Sequence, residues 1–337
     1  MKRVIFAAVV MGLLTAGLTA CDPPIPPDVQ AQMAETKHVC IDGNVTVQSP
    51  GLMNTVVQNW SDSITGSCAG TTLEQVTVKP EVAIGYSNSS DCAPAVSTPV
   101  AVDAGVLVFT VNGVTDLTLS PKSVAGILNG TITDWADPSI AKDNPDSPPS
   151  SEPIAVRKIT DKDAFASLNE WMTRLGAPLD PAHFTLTSNA AYATPAEGEI
   201  AVIANSQAVA NSVTPAGIAV TGPDGQPATA SPANQAIVEA SSQWKGTTKG
   251  TELTVTLDPK IKPAKPDGFD LVAPYQAIYP LYVTVCGEAS QLKQSVGFYF
   301  LRQDSQGALA ASNYNPLAET IRVQALSVMG KGLPAGK

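Results

Sequence analysis

Few residues in this chain can do chemistry. It has 337 residues, five cysteines and two histidines. His38 and His183 cannot make a histidine-rich metal site, and no C-x-x-C supports dithiol redox chemistry or a zinc ribbon. There is no G-x-S-x-G, no H-E-x-x-H and no phosphate loop, and neither histidine has a plausible serine to activate. His183 follows Pro181 in a turn, where a solvated or hydrogen-bonded structural role is expected. No catalytic residue, metal or cofactor is therefore assigned, and the chain is not expected to be an enzyme. Asp and Glu number 30 against 20 Lys and Arg, a formal charge of -10. Nucleic acid needs a basic footprint, so it is not an expected partner.

The cysteines and the elements around them set the compartment. Lys2 and Arg3 precede an apolar stretch over residues 4–18, too short for a comfortable bilayer span. It runs into Leu18, Thr19, Ala20 and Cys21, which looks like a bacterial lipobox. Residues 1–20 are then a signal peptide, cut before a lipid-bearing Cys21. Each buried acyl CH₂ contributes about 0.8 kcal/mol, so several chains anchor a soluble body. The expected location is the extracytoplasmic face of a membrane, at the cell surface or in the periplasm. Residues 21–37, with Pro23, Pro24, Pro26 and Pro27, read as an extended tether. The acidic body should stand off an anionic lipid surface. Cys40, Cys68, Cys92 and Cys286 are an even set outside the cytosol and are expected to form two disulfides. Of three connectivities, the preferred one joins Cys68 to Cys92 and Cys40 to Cys286.

Hydrophobic spacing gives the elements. Strands are expected over residues 38–47, 76–78, 82–86, 100–111, 154–157, 198–203, 218–220 and 278–286. Helices are expected over 52–60, with Leu52, Val56, Val57 and Trp60 on one face, and over 121–128, 164–175, 236–244, 291–301 and beyond 318. Ser120 is the expected N-cap of the 121–128 helix, with Pro121 at its first position. Phe165, Leu168, Trp171 and Met172 face inward from 164–175. Strands and helices alternate, which reads as α/β with mainly parallel sheets.

The stretch Gly130 to Ile140 carries G-x-I-T-x-W-x-D-P-x-I, and here the sequence resembles the phosphate-binding proteins of ABC importers. Ser90, Asp91, Cys92, Ala93 and Pro94 look like that family's S-D-A-P loop with one insertion. Arg157 sits where the family has its R-x-D-G-S-G-T loop. Tyr279, Pro280 and Leu281, and then Asn313 to Leu317, resemble its closing strand and its end. The resemblance runs from about Val45 to Leu317. It implies a two-lobed, type II periplasmic-binding-protein (Venus-flytrap) fold, each lobe a mainly parallel sheet flanked by helices. Lobe one is residues 38–105 and 265–337, lobe two is 106–264, and two extended segments cross between them.

The same resemblance implies a cleft that holds phosphate or another small polar ligand, with an ABC permease as a possible partner. Its expected ligand residues are Arg157, Asp91, Ser90, Ser49, Gly51, Ser67 and Thr160. Read by themselves, Arg157 is a salt-bridge arginine, Asp91 a helix cap, and residues 66–72 a disulfide-tied surface loop. The chain also departs from the family pattern. Pro50 removes a backbone donor from the first loop. Asp161, Lys162 and Asp163 stand where the family has S-G-T, so carboxylates face the anion position and the following helix is self-capped. The alternative is a surface lipoprotein of the same fold that serves as an interaction or envelope module.

Overall fold

Gly43–Gln48 (β1), Asn54–Ser67 (α1) and Thr71–Gln75 (β2) form a β–α–β unit in the computed structural model. The structure describes residues 39–85, 92–188, 190, 192–263, 272–310 and 313–334, together with residues 26, 29, 33 and 35. Cys21, the leader, Ser90 and Asp91 lie outside the described residues. Strands β1 and β2 run parallel. Helix α1 buries Val56, Val57, Trp60 and Ile64 at helical spacing. Leu52, expected on that face, is exposed in a 3-10 turn, Gly51–Met53, and Met53 is buried instead. The strand expected over 76–78 lies one segment earlier, because β2 ends at Gln75 and 76–80 is a turn.

Val82–Gly85 (β3) pairs parallel to β1. Pro94–Phe109 (β4) is buried from Val96 onward, so it reads as an unbroken apolar run. Its partners change along its length. From Pro94 to Ala104 it runs antiparallel to Ile278–Cys286. From Gly105 it runs antiparallel to Glu199–Ala204 (β5). At the change, the Gly105 N–H donates to the Ala277 carbonyl at 2.8 Å. Two segments, near residues 105 and 277, therefore lie side by side where β4 changes partner. Gly105 must lack a side chain, because a Cβ there would sit 2.0 Å from the Ala164 carbonyl oxygen.

Pro121–Leu128 (α2) begins as read. The Ser120 hydroxyl accepts the Ser123 N–H, and Pro121 is in the first turn. Asp137 caps the short helix Pro138–Asp143. Lys162–Arg174 (α3) buries Phe165, Leu168, Trp171 and Met172. The second lobe also holds Asn205–Ala210 (α4), Asn234–Ser241 (α5) and a small sheet of Thr118–Leu119, Gly217–Thr221 and Pro227–Ala230.

The helix expected over 236–244 stops at Ser241, and Trp244 instead opens a hairpin of Trp244–Lys249 (β6) and Glu252–Leu257 (β7). Gly250, at φ 65°, lies between the two strands. Glu252 pairs with Ser97 of β4. This places the hairpin on the first lobe's sheet, although the expected division at residue 264 puts it with the second lobe. Ile278–Cys286 (β8) runs antiparallel to β3 and β4. Gln291–Phe300 (α6), Gln303–Ala310 (α7) and Glu319–Met329 (α8) close the first lobe. There, Trp60 stacks on Phe300 at 4.4 Å.

The disulfides correct the preferred pairing. Cys40 joins Cys68, and Cys92 joins Cys286. The Gly43 N–H bonds to Gly70 O, so the entry to β1 lies beside the end of α1. Cys286 pairs with Pro94 in the strand register, which puts it next to Cys92. Both partnerships follow from strand pairing.

Candidate functional site

The N-terminus of α3 follows directly on the expected ligand residues Arg157 and Thr160. Its first backbone donors are already bonded within the chain. The Asp161 carboxylate accepts the N–H of Asp163 at 2.9 Å and of Ala164 at 3.1 Å. Those are donors an oxyanion would need. Asp161 is buried. Next to it, burial and then the Asp161 charge push the Asp163 carboxyl up to about 6, while Lys162 pulls it down.

Arg157 is occupied as well. It follows the short strand Ala155–Val156, which pairs with β5 and so brings it to Glu199. Its Nε donates to Glu199 Oε1 at 2.9 Å and its Nη2 to Glu199 Oε2 at 2.8 Å. Its Nη1 donates to the Ala193 carbonyl at 2.6 Å, and Nη2 reaches the Thr194 carbonyl at 3.4 Å. Both side chains of the pair are 17% exposed. The guanidinium fork fits one carboxylate edge-on, the same geometry it would offer an oxyanion. Glu199 is accordingly held below the usual carboxylate range, by the Arg157 bond first. The self-capped helix and the salt-bridge arginine read from the sequence are both present.

The other expected ligand residues divide. The Thr160 hydroxyl is buried and donates to the Val202 carbonyl. Ser49 Oγ bonds Asn54 Oδ1 at 3.0 Å, and Gly51 opens the 3-10 turn that leads into α1. That turn packs against α4, so the two lobes meet here. Ser67 lies at the far end of α1, a helix of 14 residues, and bonds the Ser63 carbonyl. At 1.5 Å per residue this is about 20 Å from Ser49. The neighbours of Ser49 in sequence, Gln48 and Asn54, are tied instead to the end of β2 and the segment after it. Gln48 Nε2 donates to the Thr77 carbonyl at 2.9 Å, and Gln75 Nε2 donates to the Asn54 carbonyl at 2.9 Å. Thr77 was missed because 76–78 alternates like a strand. The parallel β1–β2 pairing puts both strands' C-terminal ends together, which is where open α/β sheets bind ligands.

A second missed group lies at the crossover. Asp103 is wholly buried in β4. Its carboxylate accepts the Ser206 hydroxyl at 2.6 Å, the Ser206 N–H at 3.1 Å and the Ala104 N–H at 2.8 Å. Burial still wins and pushes it from an ordinary 3.8 up to about 6. The sign of the pH effect follows. A carboxyl whose folded value is raised binds its proton more tightly when folded, so its penalty is full above about pH 6 and relieved as pH falls towards 4. Asp163 acts in the same direction. Glu199 and Asp304, with lowered values, lose stability only below the usual carboxylate range. Denaturant titration should therefore show stability rising from pH 7 to pH 5. Asp103→Asn should remove about half of that rise, on the order of 1 kcal/mol, with Asp163 carrying the rest. A flat or falling wild-type profile over that window would contradict the assignment.

No family model matches the sequence, and no curated protein matches it. Solved structures do. The ancestral soluble variant of the human phosphate-binding protein aligns with a TM-score of 0.51 and 14% identity, over 85% of this chain and 93% of that one. A DING protein gives 0.51 and 14%, over 84% and 93%. A high-affinity periplasmic phosphate-binding protein (PfluDING) bound with phosphate gives 0.51 and 14%, over 85% and 93%. The chain has the two-lobed binding-protein fold. At this identity the likeness establishes the architecture, and the chemistry of the cleft rests on this chain's own residues. Among the described residues no helix is long and apolar enough to cross a membrane, and no group of three His, Cys, Asp or Glu could hold a metal ion.

Proposed function

We propose that this chain is an extracytoplasmic solute-binding lipoprotein, anchored through Cys21, that closes its two lobes on a small polar solute. The observation that carries the reading is the two-segment crossover at residues 105 and 277. It joins lobes that also approach each other between the 51–53 turn and α4. A ligand favours closure only through contacts with both lobes. Ser49, Gly51 and Thr77 would serve from the first lobe, with Ser90 and Asp91 as further candidates, and the ends of α3 and α4 would serve from the second. The neighbours bind phosphate. In this chain Glu199 on Arg157 and Asp161 on α3 stand in for that anion, which turns the preference towards an uncharged or cationic solute. An ABC permease is the partner this role calls for.

One observation favours a second reading. A seat filled by its own carboxylates suits a binding fold kept as an envelope or interaction module. A thermal-shift panel of sugars, amino acids, polyamines and oxyanions separates the two readings. At a hundred times its Kd, a ligand stabilises the folded form by about 2.7 kcal/mol. We expect at least one uncharged or cationic solute to raise Tm by several degrees. No shift across the panel would favour the module.

A further inference from the structure

Two carboxamides are buried at the crossover without a partner. Asn205 is 1% exposed and Asn315 is 0% exposed. In both, the Oδ1 and the Nδ2 lack a hydrogen bond to any group among the described residues. These four atoms are a large share of the unsatisfied buried side-chain atoms among the described residues. A buried amide left unpaired costs roughly 1–3 kcal/mol, so two of them call for an explanation.

Strand register brings them together. Ala204 pairs with Gly105, and Ser206 reaches Asp103, so Asn205 lies beside Ala104. Asn315 pairs with Val102, exchanging both backbone hydrogen bonds with it at 2.9 and 3.0 Å. Val102 and Thr110 turn their backbone groups to the same edge of β4, one towards Asn315 and the other towards Glu199 of β5. The two asparagines therefore flank one edge of one strand about two residues apart, roughly 7 Å at strand rise. Asn315 comes from the first lobe and Asn205 from the second. The buried Asp103 and Ser206 lie between them.

We propose that this joint encloses a hydration site, in which one or more waters bridge Asn205, Asn315 and the Asp103–Ser206 pair. Each orphan amide needs both an acceptor and a donor. Water supplies both, whereas a cation would satisfy only the oxygens and an anion only the nitrogens. Internal waters of this kind make about three hydrogen bonds each to buried polar groups. Their place at the joint matters, because waters can exchange partners as the lobes rotate where a direct side-chain bond would have to break.

The test is a crystal structure of the protein at a resolution that shows ordered water, together with the Tm of Asn205→Leu and Asn315→Leu. Leucine keeps the approximate volume and removes both polar atoms. If the amides hold water, density lies 2.7–3.2 Å from both, and each variant melts lower by on the order of 2 °C or more. If the amides are dry, removing unsatisfied groups leaves Tm unchanged or raises it. Either that result, or a structure in which the amides bond only to protein or stand without water, overturns the proposal.

Discussion

Cys92→Ser with Cys286→Ser should be the most damaging change outside the core, costing about 5 kcal/mol of stability in the chain-entropy model. The bond spans 194 residues, so its loss frees most of the chain in the unfolded state. It also releases the start of β4 from the end of β8, the pair that begins the crossover. Cys40–Cys68 spans 28 residues, and its removal should cost about 3.5 kcal/mol in the same model. Total stability of a domain is about 5–15 kcal/mol, so the first double variant should approach the unfolding limit at 37 °C. Guanidinium titration of the two double variants checks this. Equal losses, or a larger loss at Cys40–Cys68, would contradict it.

Trp135→Ala should cost about 3–5 kcal/mol. Trp135 is wholly buried against Phe109, with ring centroids 6.5 Å apart. Its indole N–H donates to the Gly198 carbonyl at 3.1 Å. Alanine leaves a cavity and removes one of the two hydrogen bonds that the Gly198 carbonyl accepts, the other coming from the Ala155 N–H at 3.0 Å. The damage reaches the candidate site, because Gly198 immediately precedes Glu199, which holds Arg157. We expect lowered stability and faster amide exchange through residues 198–200, measured by hydrogen exchange. A loss under 1 kcal/mol would contradict the assigned packing.

What the sequence disclosed was local chemistry. The Ser120 cap, the self-capping of α3 by Asp161 and the inward stripe from Phe165 to Met172 each depend on neighbours a few residues away, and each stands in the structure. The G-x-I-T-x-W segment was legible for the same reason, since Trp135 needs a buried seat wherever the segment folds. The features that depend on strand pairing were hidden. The disulfide partners follow from β8 lying antiparallel to β4, which residue spacing cannot reveal. Trp244 fits a helical stripe in sequence and opens a hairpin in the fold. Ser67 looked like a loop donor but closes a helix at the far end from Ser49, whereas Thr77 is brought near by β1–β2 pairing. Asn205 and Asn315 stand 110 residues apart, and only the register of β4 makes them neighbours.

Calorimetric titration of phosphate into the protein tests whether Glu199 on Arg157 and Asp161 on α3 keep an oxyanion out. With both carboxylates in place, no saturable heat is expected up to millimolar phosphate, and the same holds for Arg157→Ala. Micromolar phosphate binding that disappears in Arg157→Ala would mean that Glu199 and Asp161 yield to ligand, and would contradict this expectation.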